Sequence, residues 1–170
     1  FGGPRFFQRE GEGSYSRRLV SAFKGWAVPL RGRYDIFRRG GRGYAEVSFH
    51  YGENTYSGRA LIDSGNLLTD PLSGLPVVLI RASDARTFAG NEVDGKFAGV
   101  MPEGMGLSPG VRAVPVHSVT DRRILYGFLC DAVCIRRGKR TVHRSAVICV
   151  DRNSTASYGG CGILLPAALL

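Results

Sequence analysis

Between residues 45 and 51 apolar and polar side chains alternate without a break: Ala45, Val47, Phe49 and Tyr51 are interleaved with Glu46, Ser48 and His50. A period of two marks a half-buried strand, because successive side chains point to opposite faces. Gly52-Glu53-Asn54 reads as a turn, and Thr55 to Ile62 as the returning strand. Asp70-Pro71-Leu72-Ser73-Gly74 marks a loop, followed by the apolar run Pro76-Val77-Val78-Leu79-Ile80. The pattern then predicts a short helix from Ala82 to Phe88, with Ser83 or Asp84 near its N-cap. Residues 91–110 are rich in glycine, carry Pro102 and Pro109, and read as loop. Val111 to Val119 and Ile124 to Leu129 flank Thr120-Asp121-Arg122-Arg123 as one hairpin. A second hairpin joins Ala132–Ile135 to Ala146–Val150 around the basic segment Arg136-Arg137-Gly138-Lys139-Arg140. The closing Gly162-Ile163-Leu164-Leu165-Pro166 is apolar enough for a buried strand or a short helix. Many short strands with little helix predict an all-β domain, folded as a closed barrel.

Residues 1–42 follow another pattern. Gly11-Glu12-Gly13-Ser14 and Arg38-Arg39-Gly40-Gly41-Arg42-Gly43 punctuate a Gly- and Arg-rich stretch whose apolar content is confined to Leu19 to Leu30. It reads as a linker or juxtamembrane arm ahead of a folded domain over 43–170. At 170 residues the chain is long enough for one domain with a real core, and too short for two pepsin-sized lobes. Its 44% hydrophobic content excludes wholesale disorder. The longest apolar stretch, Gly162 to Leu170, falls far short of the roughly 20 residues that span a bilayer. Starting on Phe1 with no signal-peptide pattern, the chain reads as a fragment whose upstream part could hold a membrane anchor.

An excess of 23 basic over 14 acidic residues gives a formal charge of +9, which favours acidic proteins, anionic lipid or nucleic acid as partners. Few aromatics are interleaved with the basic stretches, which argues against nucleic acid. Cys130, Cys134, Cys149 and Cys161 lie in apolar surroundings, and neither their spacing nor His50, His117 and His143 forms a zinc pattern. They read as reduced packing residues, and no metal or cofactor is expected.

The chemistry-bearing feature is Asp63-Ser64-Gly65, at the end of Arg59-Ala60-Leu61-Ile62. Two apolar residues before Asp-Ser/Thr-Gly is how an aspartic protease ends a buried strand and presents a carboxylate on a tight turn. The motif occurs once, so a working site requires a second, identical chain. Two carboxylates within hydrogen-bond distance share one proton: the ionised member takes a proton from water while the protonated one hydrogen-bonds the scissile carbonyl. Gly65 allows a tight turn that brings its N–H to the carboxylate, and Ser64 is placed to bond across the two-fold axis. The bare triad also occurs in ordinary turns. The preceding apolar pair, the upstream hairpin, the downstream flap-like hairpin and the closing Gly162-Ile163-Leu164-Leu165 together resemble the retropepsin fold.

Ala60-Leu61-Ile62-Asp63-Ser64-Gly65-Asn66, Leu68, and Asp70-Pro71-Leu72 with Gly74, Pro76 and Val77 resemble the sporulation sigma-E factor-processing peptidases more specifically. Arg112, Pro115, Ser118-Val119 and the closing Ile163-Leu164-Leu165-Pro166 extend the resemblance over residues 44–170. It implies that Asp63 is catalytic and that the substrate is the precursor of a sigma factor, shortened by removal of its pro-sequence. It also implies a homodimeric domain on the cytoplasmic, mother-cell side of a membrane, attached through an N-terminal half and responsive to a signal protein. The hairpin carrying Val116, His117, Ser118, Val119 and Ile124 is the candidate flap over an extended peptide. Asp70, before Pro71, reads as a turn cap rather than a member of the dyad. The basic cluster from Arg136 to Arg144 is either a solvated hairpin or a surface that meets an acidic pro-segment. The rival readings are a basic nucleic-acid-binding module, a non-catalytic retropepsin-like interaction domain, and a bacterial retropepsin with an unrelated substrate.

Overall fold

In the computed structural model the described residues are 43–99, 107, 110–117, 122–154 and 157–170, so the arm expected over 1–42 lies outside them. β1 (Tyr44–Tyr51) and β2 (Asn54–Asp63) form the first hairpin, with Ala45, Val47 and Phe49 buried as the alternation predicts. β3 (Val77–Arg81) runs directly into the helix α1 (Ala82–Ala89). β4 (Val111–His117), β5 (Arg122–Arg137) and β6 (Arg140–Asp151) form an antiparallel meander. β7 (Ile163–Pro166) is the last strand.

The strand order is β1-β2-β7-β3-β6-β5-β4, and β5 also pairs with β1. Six strands therefore close into a barrel and β4 lies outside it, on the first half of β5. Among the described residues the fold is all-β with one short α-helix, as expected of a retropepsin-like domain. β2 runs parallel to β7, and β3 parallel to β6.

β5 is one strand of sixteen residues, where the pattern of apolar positions predicts two. Its register against β6 shifts between Cys130 and Val133, and the buried positions change phase there, from Phe128 and Cys130 to Val133 and Ile135. Such a bulge bends a strand and raises its twist. It lets one strand carry β4 at one end and close on β1 at the other, and it breaks the alternation that defines a strand in sequence.

The expected N-cap is also replaced. The residue before α1 is Arg81, in extended conformation, and no side chain caps the helix. Asp84 instead accepts from Arg81 Nε at 2.9 Å and from the Tyr56 hydroxyl at 3.3 Å, tying the helix to β3 and β2. Burial, then the charge of Asp84, holds the Tyr56 phenol well above its usual range. The glycine-rich stretch read as loop contains two short 3-10 turns, Gly90–Val93 and Lys96–Ala98, that bury Val93 and Phe97.

Two apolar clusters flank the sheet. Inside the barrel Phe49 is fully buried, with ring centroids 5.3 Å from both Tyr56 and Phe88, and Tyr51 lies 4.5 Å from Phe128. On the outer face, Val77, Leu79, Val114, Leu125, Val147 and Cys149 are covered by Leu68, Leu75, Val116 and Tyr158. β3 and the last half of β6 are thus buried on both faces, which explains their unbroken apolar runs. Truncating Phe49 to Ala leaves a cavity among aromatic rings that cannot collapse. The expected cost is about 3–5 kcal/mol, read as a lowered urea midpoint with unchanged slope.

Candidate active site

Asp63 is the last residue of β2, paired with Pro166 of β7, and its side chain is half-buried. The strand delivers it to the barrel's end, and the chain then turns sharply. Oδ1 of Asp63 accepts the Gly65 N–H at 2.9 Å. A Cβ on residue 65 would lie 3.3 Å from that oxygen, a contact tight enough that the carboxylate would have to shift by a few tenths of an ångström. Ser64 is exposed, and its hydroxyl has no partner among the described residues.

Asn66 fixes the turn from below. It is 8% exposed, donates from Nδ2 to the Val77 carbonyl at 3.0 Å, and accepts the Leu68 N–H at 3.2 Å. The Asp63 turn is thereby clamped to the start of β3. The sequence reading gave Asn66 no role; its signal was a polar residue set between the Gly65 turn and the apolar Leu67-Leu68, at a position that proves to be buried.

Asp70 acts as a turn cap, as expected. Its Oδ2 accepts the Ser73 N–H at 3.0 Å and the Ser73 hydroxyl at 2.6 Å, while backbone bonds run from Asp70 N to Leu75 O and from Gly74 N to Asp70 O. The residue is 1% exposed, and Oδ1 has no partner. A carboxylate sealed in its own turn and held by Ser73 is not available to share a proton with Asp63. Beside these turns two leucines stand out of the surface: Leu67 is 83% exposed and Leu72 75%.

The candidate flap residues divide along the pleat. β4 and β5 pair Pro115 with Ile124, Val116 with Arg123 and His117 with Arg122. Val116 packs on the outer cluster, whereas His117 and Ile124 are exposed on the opposite face. Ser118, Val119 and the hairpin tip lie outside the described residues. At the base of this hairpin, Asp151 is 5% exposed and accepts from the Tyr158 hydroxyl at 2.8 Å, the Asn153 N–H at 3.1 Å and Arg123 Nη1 at 3.4 Å. The hairpin is anchored to the end of β6 through this buried carboxylate.

In the basic β5–β6 hairpin, Arg136 pairs with Glu46 on β1, with Nε 2.7 Å from Oε2. All four cysteines are free. Burial pushes the Cys130 and Cys161 thiols up, and burial with the nearby charge of Asp70 pushes Cys149 up to about 12. A thiol so raised is protonated at neutral pH and is a poor nucleophile. Among the described residues no group of three or more His, Cys, Asp and Glu side chains is arranged to hold a metal ion, and no helix is long and apolar enough to cross a membrane.

The sequence model of the peptidase U4 family, sporulation factor SpoIIGA, matches residues 36–169, which is most of the chain. No curated protein matches it.

The thiols give a direct check on this burial pattern. At pH 8 the native protein is expected to react with a thiol reagent first at half-buried Cys134, and at Cys149 only after unfolding. Mass mapping of the modified cysteines reads the order.

Proposed function

Since the chain belongs to the sporulation factor SpoIIGA family, and is thereby a sporulation protease, we propose that it is an aspartic endopeptidase that removes the pro-sequence of a sporulation sigma-factor precursor. The observation that carries this reading is the state of Asp63. One oxygen is engaged by the Gly65 N–H, the other has no partner among the described residues, and the carboxylate sits half-exposed at a barrel end. The next carboxylate along the chain, Asp70, is sealed in its own turn. The second member of the pair therefore comes from Asp63 of a second copy, brought face to face across a two-fold axis.

In that arrangement a water molecule lies between the two carboxylates. The ionised one takes a proton from it as its oxygen attacks the scissile carbonyl carbon. The protonated one hydrogen-bonds the carbonyl oxygen, which gains negative charge as the tetrahedral intermediate forms. Collapse breaks the C–N bond, and the amide nitrogen leaves with a proton returned from the pair. Each Gly65 N–H orients its own carboxylate, each Asn66 clamp keeps the turn rigid, and the free Ser64 hydroxyls reach across the axis. The β4–β5 hairpin covers the peptide, presenting the exposed face that carries His117 and Ile124. The domain works on the cytoplasmic side of a membrane, tethered by a preceding segment and switched on by a signal protein.

The test is cleavage of a co-expressed sigma-factor precursor by a membrane-tethered form of the chain. The wild type is expected to yield a shortened product, and Asp63→Ala to lower its rate by at least about a thousandfold, as loss of a central catalytic group does. Equal product from both forms would remove Asp63 from the mechanism.

A further inference from the structure

The last register pair of the β5–β6 hairpin sets Arg137 directly opposite Arg140. They are held there by the turn Gly138-Lys139, in which Gly138 takes a φ of +59° that few other residues adopt. Like charges placed opposite one another on a sheet repel. Their neighbour Arg136 is neutralised by Glu46, yet Arg137 and Arg140 have no ion pair or hydrogen bond among the described residues. The two arginines line a cavity of about 140 Å³ together with Ile135, Val142 and Leu170. A cavity lined by two unpaired cationic residues and three aliphatic ones suits a carboxylate on a short aliphatic stem.

The cavity lies at the catalytic end of the barrel. The Gly43 carbonyl accepts the N–H of Ile62, the residue before Asp63, at 2.9 Å. A Cβ on Gly43 would stand 3.0 Å from Ile62 Cδ1 and 3.4 Å from Arg137 Nη2. The arginine head is therefore about one residue's width from the strand end that carries Asp63.

We propose that Arg137 and Arg140 form a carboxylate-binding pocket that takes an acidic side chain of the polypeptide substrate, making the protease selective for an acidic residue near the cleaved bond. The proposal rests on the reading of the chain as an endopeptidase for its biological meaning, but the binding itself does not require Asp63. Two charge-assisted bonds to one carboxylate supply the affinity, and the aliphatic side chains in the lining favour the stem of glutamate.

The test is a titration of the ¹⁵N-labelled protein with acetyl-glutamate N-methylamide, following arginine side-chain Nε–Hε resonances. Those of Arg137 and Arg140 are expected to move and saturate. Arg144, outside the cavity and donating to the His143 carbonyl, is expected to stay still. The glutamine counterpart should move none of them, and Arg140→Gln should weaken glutamate binding by about tenfold while leaving the backbone spectrum folded. Equal drift of every exposed arginine would mean only ionic screening and would overturn the pocket, as would no movement at all. Shifts that grow with protein concentration before any peptide is added would give the pocket to a second copy and overturn its assignment to substrate. Because the probe is too short to be cleaved, the result stands apart from the protease assay, and either reading can fail alone.

Discussion

β7 lies between β2 and β3 and pairs with both, parallel to the first and antiparallel to the second. Its four residues, Ile163–Pro166, are among the last of the chain, and they join the hairpin that carries Asp63 to the rest of the barrel. Ile163 and Leu165 point into the interior cluster and are fully buried, while Leu164 lies against the outer one. Without this strand the end of β2 would be a free edge, and the carboxylate it delivers would have no fixed position. The proposed chemistry therefore depends on a contact between sequence-distant segments.

The second constraint is the two-sided burial of β3. Its inner face packs in the barrel and its outer face is covered by Leu68 and Leu75, which belong to the segment running from the Asp63 turn back into the sheet. Asn66 and Asp70 satisfy the backbone of that segment from within, so a stretch rich in turn residues becomes a rigid support. A rigid support is what the proposed two-copy site requires, because small displacements of either carboxylate would spoil a shared proton.

How much of this was legible beforehand follows from the range of each interaction. The first hairpin and the Asp63 turn rest on neighbours in sequence, so alternation and a three-residue motif were enough to find them. β5 was read as two strands because its bulge moves the buried positions from one phase to the other. The N-cap reading failed because Asp84 is claimed by Arg81 and Tyr56, one of them on another strand. Phe97 and Val93 looked like loop residues, since nothing near them in the chain reveals that the aromatic cluster covers them. The candidate flap residues formed one group in sequence, yet the pleat sends Val116 to one face and His117 with Ile124 to the other.

The central claim is that one active site takes Asp63 from each of two chains. Two differently tagged forms, wild type and Asp63→Asn, can be co-expressed and the mixed pair isolated through both tags. Cleavage of the sigma-factor precursor by this mixed pair is the deciding measurement. A shared site predicts that one intact carboxylate is not enough, with activity more than about a hundredfold below the wild-type pair. A mixed pair with half the wild-type activity would show that each chain carries a complete site of its own, and would contradict the account.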